Sequence, residues 1–203
     1  MLEYIHRLPR PDSKAMQRGS EIHSMCEEYV KTDKKPKKMP EELENFEDEF
    51  LTLRKYKKDL TQLEGSWAFR SDWSPTSWFG QDAWCRMKVD FCTRDSKQKT
   101  VRIIDYKTGK LRKSNEEQLE LYALGALYMF EPTDEIQCEL WYLDSGDLVE
   151  VVFDIEEVAT ELREKWDEKA RPMLEDIKFE ATPSQSSCRF CSYSKDEGGP
   201  CEF

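Results

Sequence analysis

The feature that most constrains this chain is a change of hydrophobic period partway along it. Up to about residue 58 the apolar residues recur with helical spacing. From about Thr61 to Asp154 they read instead as strands: Leu63 to Ser71, Ala83 to Arg94, Thr100 to Lys107, Ile136 to Leu143 and Leu148 to Asp154. One helical segment, Asn115 to Met129, interrupts the series, with Leu119, Leu121, Leu124 and Leu127 apolar. Ser145-Gly146-Asp147 reads as the hairpin turn between the last two strands. The order helix, helix, three strands, helix, two strands predicts an α/β (α+β) architecture, a central mixed β-sheet flanked by helices.

The helical flanks can be placed in the same way. Residues 12 to 32 form the first, with Ser13 as N-cap, Met16, Ile22, Met25, Tyr29 and Val30 on its apolar side, and His23 inside it. A Lys/Pro-rich linker, residues 31 to 40, leads to a helix from about Pro40 to Lys58, whose apolar side is Phe46, Phe50, Leu51 and Leu53. A third runs from Ile155 to about Ile177 on Val158, Leu162, Trp166 and Leu174. We expect residues 1–182 to form one domain and 183–203 a Cys-rich C-terminal tail packed on it. The 203 residues, 38% hydrophobic and 12% aromatic, suffice for one real core and exclude a disordered chain. There is no signal-like start and no run of about 18 apolar residues, so a soluble cytoplasmic protein is expected. Seven cysteines, an odd number, fit thiols or metal ligands in a reducing compartment better than a disulfide framework.

A net charge of -11 argues against DNA binding by bulk charge alone. Its distribution matters more. Cations bunch at Lys34, Lys35, Lys37 and Lys38, at Arg54, Lys55, Lys57 and Lys58, and at Lys107, Lys110, Arg112 and Lys113. The first two runs read as solvated faces. The third lies beside a group of carboxylates, which makes Lys110, Arg112 and Lys113 candidate DNA contacts.

That group begins with the strand Val101 to Lys107, which ends by presenting Asp105 and Lys107. Residues two apart on a strand share a face, so the carboxylate and the ammonium project together. Asp90 sits on the preceding strand within Met87-Lys88-Val89-Asp90-Phe91-Cys92. A hairpin centred near residue 97 or 98 places Asp90 opposite Asp105, with Cβ atoms about 4.5 to 5.5 Å apart. Two such carboxylates repel unless a cation lies between them, and hard oxygen ligands suit Mg²⁺ or Mn²⁺. The alternative, a strand-end ion pair with Lys107, stays open on these residues alone.

Asp90 followed by Asp105-x-Lys107 resembles the PD-(D/E)XK nuclease superfamily, with Asp in the second acidic position. Gly19-x-x-x-His23 on the early helix and Gln118-x-x-x-Tyr122 after the lysine narrow the resemblance to its RecB-like branch, which includes RecB-type nuclease domains and the exonucleases of CRISPR adaptation. The resemblance covers roughly residues 15 to 203. It implies a restriction-endonuclease-like core and a Mg²⁺- or Mn²⁺-dependent deoxyribonuclease, an exonuclease more than an endonuclease. Such an enzyme would serve recombination, repair or phage DNA processing, in a bacterial cell or phage-infected host, with DNA as partner and protein partners unspecified. His23, Asp90, Asp105 and the backbone carbonyl of Tyr106 would hold the metal. Lys107 would act on the attacking water, and Gln118 and Tyr122 would contact DNA or hold Lys107 and the phosphate. Glu27, one turn after His23, is a further metal candidate or a plain surface glutamate. A DNA-binding module of the same fold without catalysis is the alternative.

Cys188-x-x-Cys191 followed by Cys201 has metal-ligand spacing, and Gly198-Gly199-Pro200 supplies a turn that brings Cys201 back. Relatives in the branch hold a four-iron, four-sulfur cluster through three C-terminal cysteines and one before the first helix. Here no Cys precedes His23, and Cys26 follows it. An iron-sulfur cluster with Cys26 or His6 as fourth ligand, Zn²⁺ in place of iron, and three free thiols are the open readings. A redox or structural metal protein centred on this tail is a third functional class, which would leave the acidic set unexplained. Cys85, Cys92 and Cys138 are expected as small buried hydrophobes.

Overall fold

A computed structural model describes residues 13–32, 38–56, 61–95, 97–130, 133–178, 180, 183–189, 191, 193–195 and 199–201. His6, Lys34, Lys35, Lys37, Lys57, Lys58 and Gly198 lie outside the described residues. The chain divides into two compact units, Gly19–Glu168, and a second made of the residues up to Arg18 with those from Lys169 onward. The sheet and the candidate site belong to the first.

Helix α1 spans Lys14–Lys31. The Ser13 hydroxyl accepts the Met16 N–H at 3.2 Å, and Ile22, Cys26, Tyr29 and Val30 form a buried stripe at helical spacing. The next helix is shorter than the sequence predicts. It opens as a 3-10 turn, Glu41–Phe46, and continues as α2, Glu47–Leu53. Its buried residues are Leu43, Phe46, Phe50 and Leu53, whereas Leu51 is only half-buried. Burial stops at Leu53, so no packing supports a further turn.

All five predicted strands form, as β1 Thr61–Phe69, β2 Cys85–Asp95, β3 Thr100–Lys107, β4 Glu135–Tyr142 and β5 Asp147–Asp154. They make one mixed sheet in sequence order. The β3–β4 pair is parallel and the other three pairs are antiparallel. A parallel neighbour needs a crossover, which α3 (Glu116–Met129) supplies. At the β4–β5 turn Gly146 takes a positive φ of 74°. The last long helix is not uniform: α4 Ile155–Glu157, capped by Asp154, passes through a π-helical turn, Val158–Leu162, into α5, Arg163–Glu175. A short α6, Gln185–Cys188, capped by Ser184, was not expected.

Strand alternation divides the interior. On one face Val101, Ile103, Leu140 and Tyr142 pack with Leu119, Tyr122 and Ala123 of α3 and with Val158 and Leu162. On the other, Phe91, Ile104, Tyr106 and Trp141 pack with α1 and α2. A buried carboxylate in the second layer is fully compensated. Glu139 accepts from Arg102 Nε at 2.5 Å and Nη2 at 2.9 Å, and from Trp141 Nε1 at 2.7 Å.

Gly125 sets how closely α3 approaches the sheet. A Cβ there would lie 2.9 Å from Met87 Sδ and 3.1 Å from Trp67 Cε3, both in β1 and β2 side chains. Gly125→Val should therefore overpack this layer and lower unfolding stability by about 1–3 kcal/mol, seen as a lower urea midpoint with an unchanged slope.

Candidate active site

The site lies where the sheet forks. β2 and β3 pair from Asp95↔Thr100 only as far as Phe91↔Ile104. Beyond that point β2 stays with β1 and β3 stays with β4. Asp90 and Asp105 are the next residues on the two diverging strands, in the register that the hairpin centre predicts. The groups left without ladder partners are taken up by side chains. Asp90 Oδ2 accepts the Tyr106 N–H at 2.7 Å, and the Lys88 carbonyl lies 2.8 Å from the Tyr122 hydroxyl.

Around this fork the motif residues from α1, β2, β3 and α3 converge. His23 Nδ1 is 2.9 Å from Asp90 Oδ1. Gly19, one turn earlier, brings the helix against the end of β3, where a Cβ would lie 3.7 Å from Thr108 Oγ1. Lys107 Nζ is 2.5 Å from Asp105 Oδ2 and donates to Gln118 Oε1 at 2.7 Å. Gln118 Nε2 in turn donates to Asp105 Oδ1 at 3.1 Å and to the Tyr122 hydroxyl at 2.6 Å. That hydroxyl is 2.6 Å from Asp105 Oδ1. Gln118 and Tyr122, i and i+4 on α3, thus hold Asp105 and Lys107 in a closed network.

Glu64 was missed by the sequence reading. It falls opposite Asp90, between the pairs Leu63↔Phe91 and Gly65↔Val89, and has a left-handed φ of 50° in the middle of β1. Such a backbone is costly for a residue with a Cβ. Ligand-capable atoms of His23, Glu64 and Asp90 all come within 4.8 Å of one another. No motif spacing marks Glu64, because its register depends on a long β1–β2 loop. Two clefts meet at His23 and Glu64. One, about 370 Å³, is lined by Gly19, Ser20, Ser24 and Glu27, and the other, about 350 Å³, by Arg86, Lys88, Asp90, Asp105, Gln118 and Tyr122. Glu27 makes an ion pair with Lys31 at 3.7 Å along its own helix.

The electrostatics show a crowd of like charges. Burial, then repulsion by Asp90, raises the pKa of Asp105, and the Lys107 charge only partly offsets this. Burial and then Asp90 likewise raise Glu64. Burial opposes a charge on His23, but the hydrogen bond and charge of Asp90, reinforced by Asp105 and Glu64, prevail and raise its pKa. Asp105 Oδ2 faces the Lys107 ammonium at 2.5 Å, a cation that offsets only part of its charge. Oxygen donors with one imidazole, crowded and under-compensated, suit a hard divalent cation.

The remaining expectations fall away from the fork. Lys110, Arg112 and Lys113 are exposed on the β3–α3 connection. Cys188, Cys191 and Cys201 are half-buried free thiols; the Cys191 N–H donates to Cys188 O at 3.0 Å, and the Cys201 N–H to Tyr193 O at 2.9 Å. Among the described residues they are not gathered as the His23 set is. Cys26 is sealed in the apolar layer with Tyr29 and Phe50, where burial raises its thiol pKa, the setting of a small core residue. Cys92 and Cys138 are buried as expected, whereas Cys85 is only half-buried.

A cradle for a hard cation with a lysine beside it, at the fork of a mixed sheet, is the equipment of a metal-dependent nuclease. Residues 1–195 match the PD-(D/E)XK nuclease superfamily, and the chain belongs to that superfamily. A comparison with curated proteins returned no match. Membership makes the protein a divalent-metal-dependent nuclease with DNA as its substrate class.

The raised pKa values carry a sign. Groups raised in the folded state contribute stability at low pH and lose it as pH rises through their folded pKa. A divalent cation must displace those protons, so Mn²⁺ should raise the melting temperature more at about pH 8 than at about pH 5. Equal shifts at both pH values would show that the cation binds elsewhere.

Proposed function

We propose that the protein hydrolyses phosphodiester bonds in DNA as a Mg²⁺- or Mn²⁺-dependent exonuclease of RecB-like type, working in recombination, repair or phage DNA processing. The observation that carries the hydrolytic reading is the meeting of His23, Asp90 and Asp105 with Lys107 at one fork, as the contacting pairs His23–Asp90 and Asp105–Lys107 joined by the Tyr106 N–H on Asp90. The exonuclease and branch assignments rest on the ordered set of Gly19-x-x-x-His23, Asp90, Asp105-x-Lys107 and Gln118-x-x-x-Tyr122.

His23, Asp90, Asp105 and the Tyr106 carbonyl would hold the cation, with Glu64 as an added carboxylate. A cation bound there supplies Lewis-acid polarisation of the scissile phosphate and acidifies adjacent water. Asp90 serves the chain twice, because the same carboxylate that faces His23 pins the Tyr106 backbone. Lys107, fixed between Asp105 and Gln118, positions the attacking water and offsets charge that develops on the phosphate. Tyr122 and Gln118 keep Asp105 and Lys107 from swinging apart. The exposed Lys110, Arg112 and Lys113 guide the phosphate backbone toward an otherwise acidic chain. The tail cysteines, which are not gathered as the His23 set is, are free thiols in this reading.

Asp90→Ala and Asp105→Ala should abolish both DNA cleavage and tight Mn²⁺ binding, since each removes an anionic ligand. Lys107→Ala should abolish cleavage and leave Mn²⁺ bound. Calorimetric titration beside digestion of end-labelled linear and circular substrates checks both points. Wild-type cleavage by all three variants would sink the assignment, and degradation of circular DNA at the linear rate would sink the exonuclease reading.

Replacing Lys110, Arg112 and Lys113 together with Ala should weaken DNA binding. It should also reduce the slope of log affinity against log salt by up to about 0.9 for each duplex phosphate that the variant no longer neutralises. An unchanged slope places the DNA path elsewhere.

A further inference from the structure

The β1–β2 connection, residues 70–84, displays an aromatic residue that nothing in the fold buries. Phe79 is 90% exposed. A single exposed apolar side chain is ordinary on a protein surface, so exposure alone implies nothing. Here three further observations act together.

The loop is built to hold its tip. Arg70 Nε reaches Asp82 Oδ2 at 2.5 Å, and Thr76 Oγ1 donates to Asp82 Oδ1 at 2.9 Å. The Gly80 N–H donates to Ser77 O at 2.8 Å, in a turn where a Cβ on Gly80 would lie 2.7 Å from Asp82 Oδ1. The base is anchored by buried Trp73, whose Nε1 donates to Asp167 Oδ1 at 2.7 Å. Phe79 is therefore presented at low conformational cost.

One cation covers the neighbouring ring and a second holds its backbone. Lys88 Nζ lies 5.4 Å from the Trp78 ring centroid, and Arg86 Nε donates to the Trp78 carbonyl at 2.7 Å. Both cations stand on exposed positions of β2.

Those cations are continuous with the candidate active site. Arg86 and Lys88 line the same cleft as Asp90 and Asp105. Along β2 they precede Asp90 by ~13 Å and ~7 Å, two-residue steps on an extended strand.

We propose that Trp78, Phe79, Arg86 and Lys88 form a stacking platform for the unpaired bases of single-stranded DNA, leading one strand to the fork. A flat aromatic face recognises any unstacked base, and the adjacent cations take its phosphates, whereas the bases of a duplex are already covered by their neighbours. The platform rests on the nuclease reading for its destination and adds to it the strand state of the substrate.

The test is fluorescence anisotropy of labelled oligodeoxythymidylate and of a blunt duplex, in EDTA so that no cleavage occurs. Phe79→Ala should weaken oligodeoxythymidylate binding by about 10-fold and leave duplex binding within about 2-fold, because the variant stacks one base fewer. Phe79→Trp should restore it, and Lys88→Ala should weaken single-strand binding with a smaller salt slope. Wild-type affinity of Phe79→Ala for the oligonucleotide, or equal weakening on both substrates, overturns the platform. So does a loss of self-association in place of DNA binding, which would make the loop an interface between copies. Cleavage is scored separately with Mn²⁺. A wild-type protein that cuts nothing yet shows Phe79-dependent single-strand binding refutes the nuclease reading and keeps the platform.

Discussion

The hydrogen bond from the Tyr106 backbone to the Asp90 carboxylate is the contact on which the rest of this site depends. Where β2 leaves β3, a sheet would ordinarily lose its ladder and expose backbone donors to an apolar interior. Asp90 takes one of those donors and so closes the fork. The same side chain then faces His23 from α1, which ties the helix layer to the sheet at the point where the cleft opens. One carboxylate thus serves both the continuity of the fold and the electrostatics of the site.

The contrast with Glu139 shows what kind of site this is. Both carboxylates are buried, but Glu139 is met by a bidentate guanidinium and an indole N–H, so its charge is spent within the structure. At the fork Asp90, Asp105 and Glu64 are gathered with one lysine and one imidazole, and burial, reinforced by repulsion from Asp90, raises the pKa of Asp105 and Glu64. Glu64 adds a strained backbone to that arrangement. Crowded like charge and a left-handed non-glycine residue at one place are the marks of a functional cluster more than of a stabilising one.

Much of the chemistry is local in origin and therefore legible. Asp105 and Lys107 share a face because strand period is two, Gln118 and Tyr122 because four residues make about one helical turn, and the short loop after Asp95 sets the hairpin that aligns Asp90 with Asp105. All five strands were likewise visible from period and turn residues. The misreadings arise where packing overrides periodicity: α2 stops at Leu53 because burial stops there, and the helix after β5 contains a π turn that sequence period does not signal.

By itself the sequence determined the α/β layering, the motif residues and the hairpin register, all consequences of spacings of a few residues along the chain. Only the tertiary structure decided that β2 and β3 part at Asp90, that Glu64 joins His23 there, and that Gln118 and Tyr122 lock Asp105 to Lys107. The physical reason is distance along the chain. Contacts between α1, β1 and α3 bring together residues tens of positions apart, and their register is set by long loops and core packing, which leave no period in the sequence.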